Sequence, residues 1–151
     1  MPKKKKCYWW DIGFVLIGDW PEATRLDFMV SFHDVPDRRR GPQAGGPTIA
    51  SEGGKGWMTA DDILHILSPG GYYRAAIFRP SERRPGMEPV KIVREVKRRS
   101  PRALRNLFVL GYSVSLGSAG CTPLPTDFDK AARILGRKFR HHFKSELVPA
   151  A

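Results

Sequence analysis

The chain has 151 residues, of which 41% are hydrophobic and 11% aromatic, a globular composition that excludes a wholly disordered chain and fits one domain with a sizeable core. Its 26 lysines and arginines against 15 acids give a net charge of +11, and self-repulsion on that scale points to a nucleic acid, an anionic membrane face or an acidic partner. Cys7 and Cys121 show neither CxxC nor Cys/His spacing, so no zinc site, metal or disulfide framework is indicated, and a reducing compartment is expected.

Residues 2–6 hold four consecutive lysines, Lys3, Lys4, Lys5 and Lys6, read as a flexible basic arm over residues 1–6. Residues 7–18 follow with aromatic and β-branched content that predicts one strand, with Tyr8, Trp10, Ile12, Phe14 and Leu16 on one face. Its apolar centre is far too short to cross a bilayer, and no secretory signal pattern follows the lysines, so the expectation is an intracellular protein of cytoplasm or nucleus. RLDFMVSFHD alternates Leu26, Phe28, Val30 and Phe32 with polar residues, a period of two that predicts a second strand pairing with the first as a hairpin.

Residues 34–57 are rich in Gly, Pro and Arg with almost no apolar periodicity, and are read as a long flexible loop. Thr59 with Asp62 forms a capping box for a helix over about 60–68, stopped by Ser68-Pro69-Gly70-Gly71. YYRAAIFR, 72–79, predicts a strand. VKIVREVKRR is ambiguous between strand and helix and is read as helix because Glu88-Pro89 makes a start; Ser100-Pro101 then caps a further short turn. FVLGYSVSL, 108–116, predicts a strand with one apolar and one small face, followed by a loop. Thr126 and Asp129 predict a capping box for an amphipathic helix over 127–146, with residues 148–151 as a tail. Together these make one α+β domain over residues 7–147, a mixed or mostly antiparallel sheet of about four strands packed by two to four helices, ending in a long C-terminal helix.

Laid out at a helical period, Phe128, Ala132, Leu135, Phe139 and Phe143 form an apolar arc, and Lys130, Arg133, Arg137, Arg140 and Lys144 an opposite basic arc. A solvated helix face is the plain reading, but five cations without an interleaved acid favour contact with an anionic partner. Further cations come in runs: Arg38, Arg39 and Arg40, then Lys97, Arg98 and Arg99 with Arg102 and Arg105. Phosphates and acidic lipid headgroups attract such runs alike, so RNA or a ribonucleoprotein is the expected partner and an anionic membrane surface the other. The amino-terminal lysines also resemble a nuclear import signal, and Trp9 is a candidate contact residue beside a core Trp10.

Catalytic patterns are sparse. SEGGKGW fails the Walker pattern at Ile49 and Gly56, the four histidines have no metal spacing, and no GxSxG elbow occurs. Pro36-Asp37 with Glu95-Val96-Lys97 resembles a PD-(D/E)xK nuclease motif, in which Asp37 and Glu95 hold a divalent metal and Lys97 steadies the attacking water. No cofactor and no small-molecule substrate is indicated.

The layout of a lysine-rich arm, then RLDFMVSFHDVPDRRR, then WMTADDILHILSPGGYYRAAIFRP, then a late strand and terminal helix, resembles a rhabdovirus-type matrix protein. The resemblance implies a non-enzymatic protein that self-associates, condenses a nucleocapsid and meets the inner leaflet of a membrane.

Overall fold

The computed structural model describes residues 3–33, 35, 48–51, 59–79, 89–111 and 114–149. In chain order the elements are strands β1 (Lys4–Trp10) and β2 (Gly13–Gly18), helix α1 (Glu22–Val30), β3 (Thr48–Ser51), α2 (Ala60–Ile66), β4 (Tyr73–Arg79), α3 (Pro89–Arg99), α4 (Pro101–Leu104), β5 (Leu107–Leu110), α5 (Val114–Ala119), β6 (Thr122–Leu124), α6 (Phe128–Lys138) and β7 (Phe143–Pro149).

Five strands form one sheet in the order β3-β2-β4-β5-β6, every adjacent pair parallel. Counted within that sheet the order is 2-1-3-4-5, the arrangement of a doubly wound α/β domain. The expected mixture of helices and strands holds, while the expected mixed or mostly antiparallel sheet of about four strands with two to four helices is corrected to an all-parallel five-stranded sheet beside a two-stranded antiparallel ribbon, with seven strands and six helices among the described residues. The physical reason lies in the strands: Gly13–Gly18 and Leu107–Leu110 are buried at every position, as strands covered on both faces must be, whereas a half-solvated antiparallel sheet alternates.

Side chains leave each strand alternately into two cores. Ile12, Phe14, Leu16, Ala75, Ile77, Phe108 and Leu110 meet Phe28 of α1 and Ala131, Ala132 and Leu135 of α6 on one face. Val15, Ile17, Ala76, Phe78, Leu107 and Val109 meet Ile63 of α2, Val93 and Val96 of α3 and Leu116 of α5 on the other. The layers explain why α3 is a helix: Val93 and Val96 are fully buried at helical spacing, settling an ambiguity that β-branching left open.

Where non-local packing decides, the sequence expectations change. Residues 7–18 are two strands in two sheets, divided at Asp11, whose N–H donates to the His142 carbonyl. RLDFMVSFH, residues 25–33, is helix α1 and its end, so the expected hairpin is absent. Of its four alternating apolar residues only Phe28 and Phe32, spaced i,i+4, are buried, while Leu26 and Val30 are 49% and 55% exposed. The stretch read as a loop over 34–57 contains strand β3, whose backbone pairs with β2, and Val35, which lies in the core. FVLGYSVSL ends as a strand at Leu110; Gly111 turns the chain at φ 86°, a conformation disfavoured for other residues, and α5 begins three residues later.

The expected terminal helix over 127–146 stops at Lys138, passes through a 3-10 turn at Arg140–His142 and becomes strand β7. Its cap is the Asp127 carboxylate, which accepts from the Lys130 N–H, and not the expected Thr126–Asp129 box. Strand β7 pairs antiparallel with β1 from Trp10↔Phe143 to Lys4↔Pro149. Lys4–Lys6, expected in a flexible arm, and Val148 and Pro149, expected in a tail, are thus strand residues. The apolar arc keeps its role despite the change of structure, since Phe128, Ala132, Leu135, Phe139 and Phe143 all join the first core.

Other expectations stand as read. Thr59 and Asp62 form a reciprocal capping box, Ser100 caps α4 by accepting from the Ala103 N–H, and β4 begins within one residue of its predicted start.

Candidate polyanion interface

In a parallel sheet the chain must return through a helix to the starting edge for each new strand, which carries helix C-terminal ends toward the amino ends of the strands. Cations are favoured in the last turn of a helix, where the macrodipole is negative. Here α3 ends in Lys97, Arg98 and Arg99, α4 carries Arg102 with Arg105 just beyond it, and α6 ends in Arg137 and Lys138 with Arg140 following. One contact ties these ends together: the Lys138 ammonium donates to the Arg105 carbonyl at 3.0 Å and lies 4.8 Å from the Phe108 ring centroid. That placement partly buries Lys138 and lowers its pKa by desolvation.

The predicted cations fall into distinct groups. Arg98 is held by Glu95 and Arg99 by Asp61, so two of the three cations at the end of α3 are locally neutralised. The hydrogen bond from Arg98 is the largest cause holding the Glu95 carboxyl below its usual range. Lys97 is exposed and has no carboxylate partner among the described residues. Lys130 and Arg137 are exposed on α6, while Arg133 is half-buried and its Nε donates to the Asp129 carbonyl. Arg140 lies on the 3-10 turn and Lys144 on β7, where its ammonium is 3.8 Å from Asp11; the basic arc is therefore split over three elements.

Lys3 to Lys6 are exposed along the β1–β7 ribbon. Beside them lie Leu147, 61% exposed, and Trp9, 36% exposed, whereas Trp10 is buried in the core. Asp11 fastens the base of the ribbon by accepting from His142 Nδ1 at 3.0 Å. Asp37, Arg38, Arg39 and Arg40 lie outside the described residues.

In doubly wound sheets the usual ligand crevice opens at the carboxyl ends of the strands, where the strand order reverses. That point falls between β2 and β4. Arg79 stands at that point, paired with Gly18 at the end of β2, donating to the Asp19 carbonyl at 2.5 Å and lying 5.8 Å from the centre of the Trp20 ring, while the Trp20 indole donates to the Ile77 carbonyl. No group of three or more His, Cys, Asp or Glu residues able to hold a metal occurs among the described residues. Among them, too, no helix is long and apolar enough to cross a membrane.

Sequence reasoning missed Arg74 and Lys138. Arg74 looked like an ordinary strand residue in YYRAAIFR, and Lys138 lay off the chosen helical arc. The available signal was their position, one at the start of a strand and the other at the end of a helix, but it means something only once the sheet is known to be parallel.

The molecule is by its fold a doubly wound α/β domain with an antiparallel two-stranded ribbon. Comparison of the chain with family models, curated proteins and solved structures returns no match.

Proposed function

We propose that this protein is a non-enzymatic binder of polyanions, with RNA or a ribonucleoprotein as the foremost partner. The observation that carries the reading is that Lys97, Arg105, Arg137 and Arg140 lie at or just beyond the C-terminal ends of α3, α4 and α6 without a carboxylate partner among the described residues. Cations without a carboxylate partner among the described residues release counterions from phosphates on contact, the sequence-independent source of nucleic-acid affinity. The test is fluorescence anisotropy with labelled single-stranded and duplex RNA across a salt series. Dissociation constants on the order of micromolar near physiological salt, with a steep linear log–log salt slope, are expected. Changing Arg105, Arg137 and Arg140 together to Glu should flatten that slope and weaken binding while circular dichroism stays unchanged. A salt-independent affinity, or a folded triple variant that binds as before, overturns the reading.

The β1–β7 ribbon favours a second reading, contact with an anionic membrane. Its register sets the exposed apolar Leu147 directly across from Lys6, on the face that also carries Lys4, a pairing of charge and apolar surface that suits a headgroup layer. A self-associating matrix-like role belongs with this reading. Co-sedimentation with phosphatidylserine vesicles in the absence of nucleic acid, together with concentration-dependent assembly, supports it; vesicle binding no greater than to neutral lipid removes it. A metal-dependent nuclease using Asp37, Glu95 and Lys97 predicts magnesium-dependent cleavage that Glu95→Ala abolishes.

A further inference from the structure

Between the end of α2 and the first turn of α4, at the amino ends of β4 and β5, lies a cavity of about 220 Å³. Leu67 and Ala103 give it apolar wall, Arg74, Ser100, Arg102 and Asn106 line it with polar groups, and no carboxylate lines it. The Nε of Arg74 is buried and has no hydrogen-bond partner, and neither Arg74 nor Arg102 is in an ion pair among the described residues. A buried guanidinium N–H without an acceptor is unfavourable and calls for one. The frame is fixed: the Asn106 carbonyl accepts from Ala76 N–H on β4, and the Asn106 N–H donates to Ala103. Ser100 Oγ already accepts from the Ala103 N–H at 3.2 Å, which leaves its own hydrogen to donate.

We infer that this cavity is a binding site for a phosphate monoester, held between Arg74 and Arg102 with Ser100 as a further donor. A monoester carries a charge of about −1.5 to −2 near pH 7, which two unpaired guanidinium groups balance; a carboxylate or a backbone diester leaves one cation uncompensated. Planar guanidinium forks also match tetrahedral phosphate oxygens in pairs. The monoester comes either from a small molecule or from the terminal phosphate of a nucleic acid. The site uses neither Arg105, Arg137 nor Arg140, so it stands or falls separately from them.

Isothermal calorimetry with inorganic phosphate and the full chain tests the site. Saturable one-to-one binding is expected, tighter at pH 8 than at pH 5, because inorganic phosphate has lost its second proton at pH 8 and keeps it at pH 5. Arg74→Gln and Arg102→Gln should each weaken it by about tenfold or more, while Arg94→Gln, exposed on α3 and outside the cavity, leaves it unchanged. Arg102 is exposed, so its variant carries the test if Arg74→Gln fails to fold. Absence of saturable phosphate binding by the wild type, or unaltered binding by folded Arg102→Gln, overturns the assignment. Competition then separates the sources. Displacement of phosphate by adenosine 5′-monophosphate alone assigns a small-molecule ligand, and displacement also by a 5′-phosphorylated oligonucleotide assigns a nucleic-acid end. A 5′-hydroxyl oligonucleotide that displaces phosphate equally well overturns the monoester specificity.

Discussion

Phe14 shows how much a single side chain carries in this fold. It is fully buried at the second position of β2, with the rings of Phe32 and Phe139 each 5.6 Å away, so it joins the end of α1 to the end of α6. Truncation to alanine removes the aromatic body and leaves a cavity between three elements; a loss of about 3–5 kcal/mol is expected, read as a lower midpoint in urea unfolding. Cys121 makes a second residue-scale case. Burial pushes its thiol up to about 12, whereas an unfolded cysteine ionises near about 8.5. The folded chain keeps this proton where the unfolded chain releases it, so the contribution to stability is complete below the unfolded value and is lost as pH rises toward 12. The stability difference between wild type and Cys121→Ala should therefore shrink on going from pH 8 to pH 10.5 in urea titrations. At pH 8 a thiol reagent should modify Cys7, which is partly exposed, well before Cys121.

Elements differ in how far local sequence specifies them. Helix α2 was legible because Thr59 and Asp62 satisfy each other's backbone groups locally, and α4 because serine and proline occupy the cap and first position. Helix α1 was not, since Phe28 and Phe32 fit a period of two as well as a spacing of four, and only the position of α6 decides which of its apolar residues are covered. The end of α6 was not legible either. Residues 143–149 leave the helix because β1, more than 130 positions earlier, offers them a complete antiparallel ladder. Gly136 permits the close approach behind this change: a Cβ there lies 3.2 Å from Val35. Gly136→Val is expected to overpack that contact and cost about 1–3 kcal/mol, measured by thermal or urea unfolding. The ribbon also carries a binding prediction. Changing Lys4, Lys5 and Lys6 to Gln preserves the backbone pairing but removes three exposed charges, so affinity for RNA or anionic vesicles should fall more at low salt than at high salt.

At the scale of the molecule, charge and topology act together. An excess of eleven positive charges opposes compaction, and screening relieves it. The melting temperature should consequently rise between about 20 and 300 mM sodium chloride, and a saturating polyanion should raise it further at low salt; a melting temperature that falls steadily with salt contradicts this. Four clusters of cations were read along the chain; Arg38, Arg39 and Arg40 lie outside the described residues, and the fates of the other three differ. Arg98 and Arg99 meet carboxylates of α3 and α2, the α6 stripe divides after Arg137, and the amino-terminal lysines become one strand of a ribbon. Lys97, Arg105, Arg137 and Arg140 stand at or just beyond the ends of α3, α4 and α6, and only the tertiary fold fixes where those ends lie.

The sequence by itself determined the inventory: a single-domain composition, a large cationic excess, two thiols out of motif, and the helices and strand whose caps and runs are satisfied within a few residues. Tertiary structure decided the rest, because burial on both faces of a sheet is a property of neighbours. It turned an alternating segment into a helix, ended the last helix in a strand, and placed Arg74 with Arg102 around one cavity. Local hydrogen bonds and capping can be read along the chain; parallel strand pairing and the placement of separate helix ends depend on contacts that close only when the whole chain has folded.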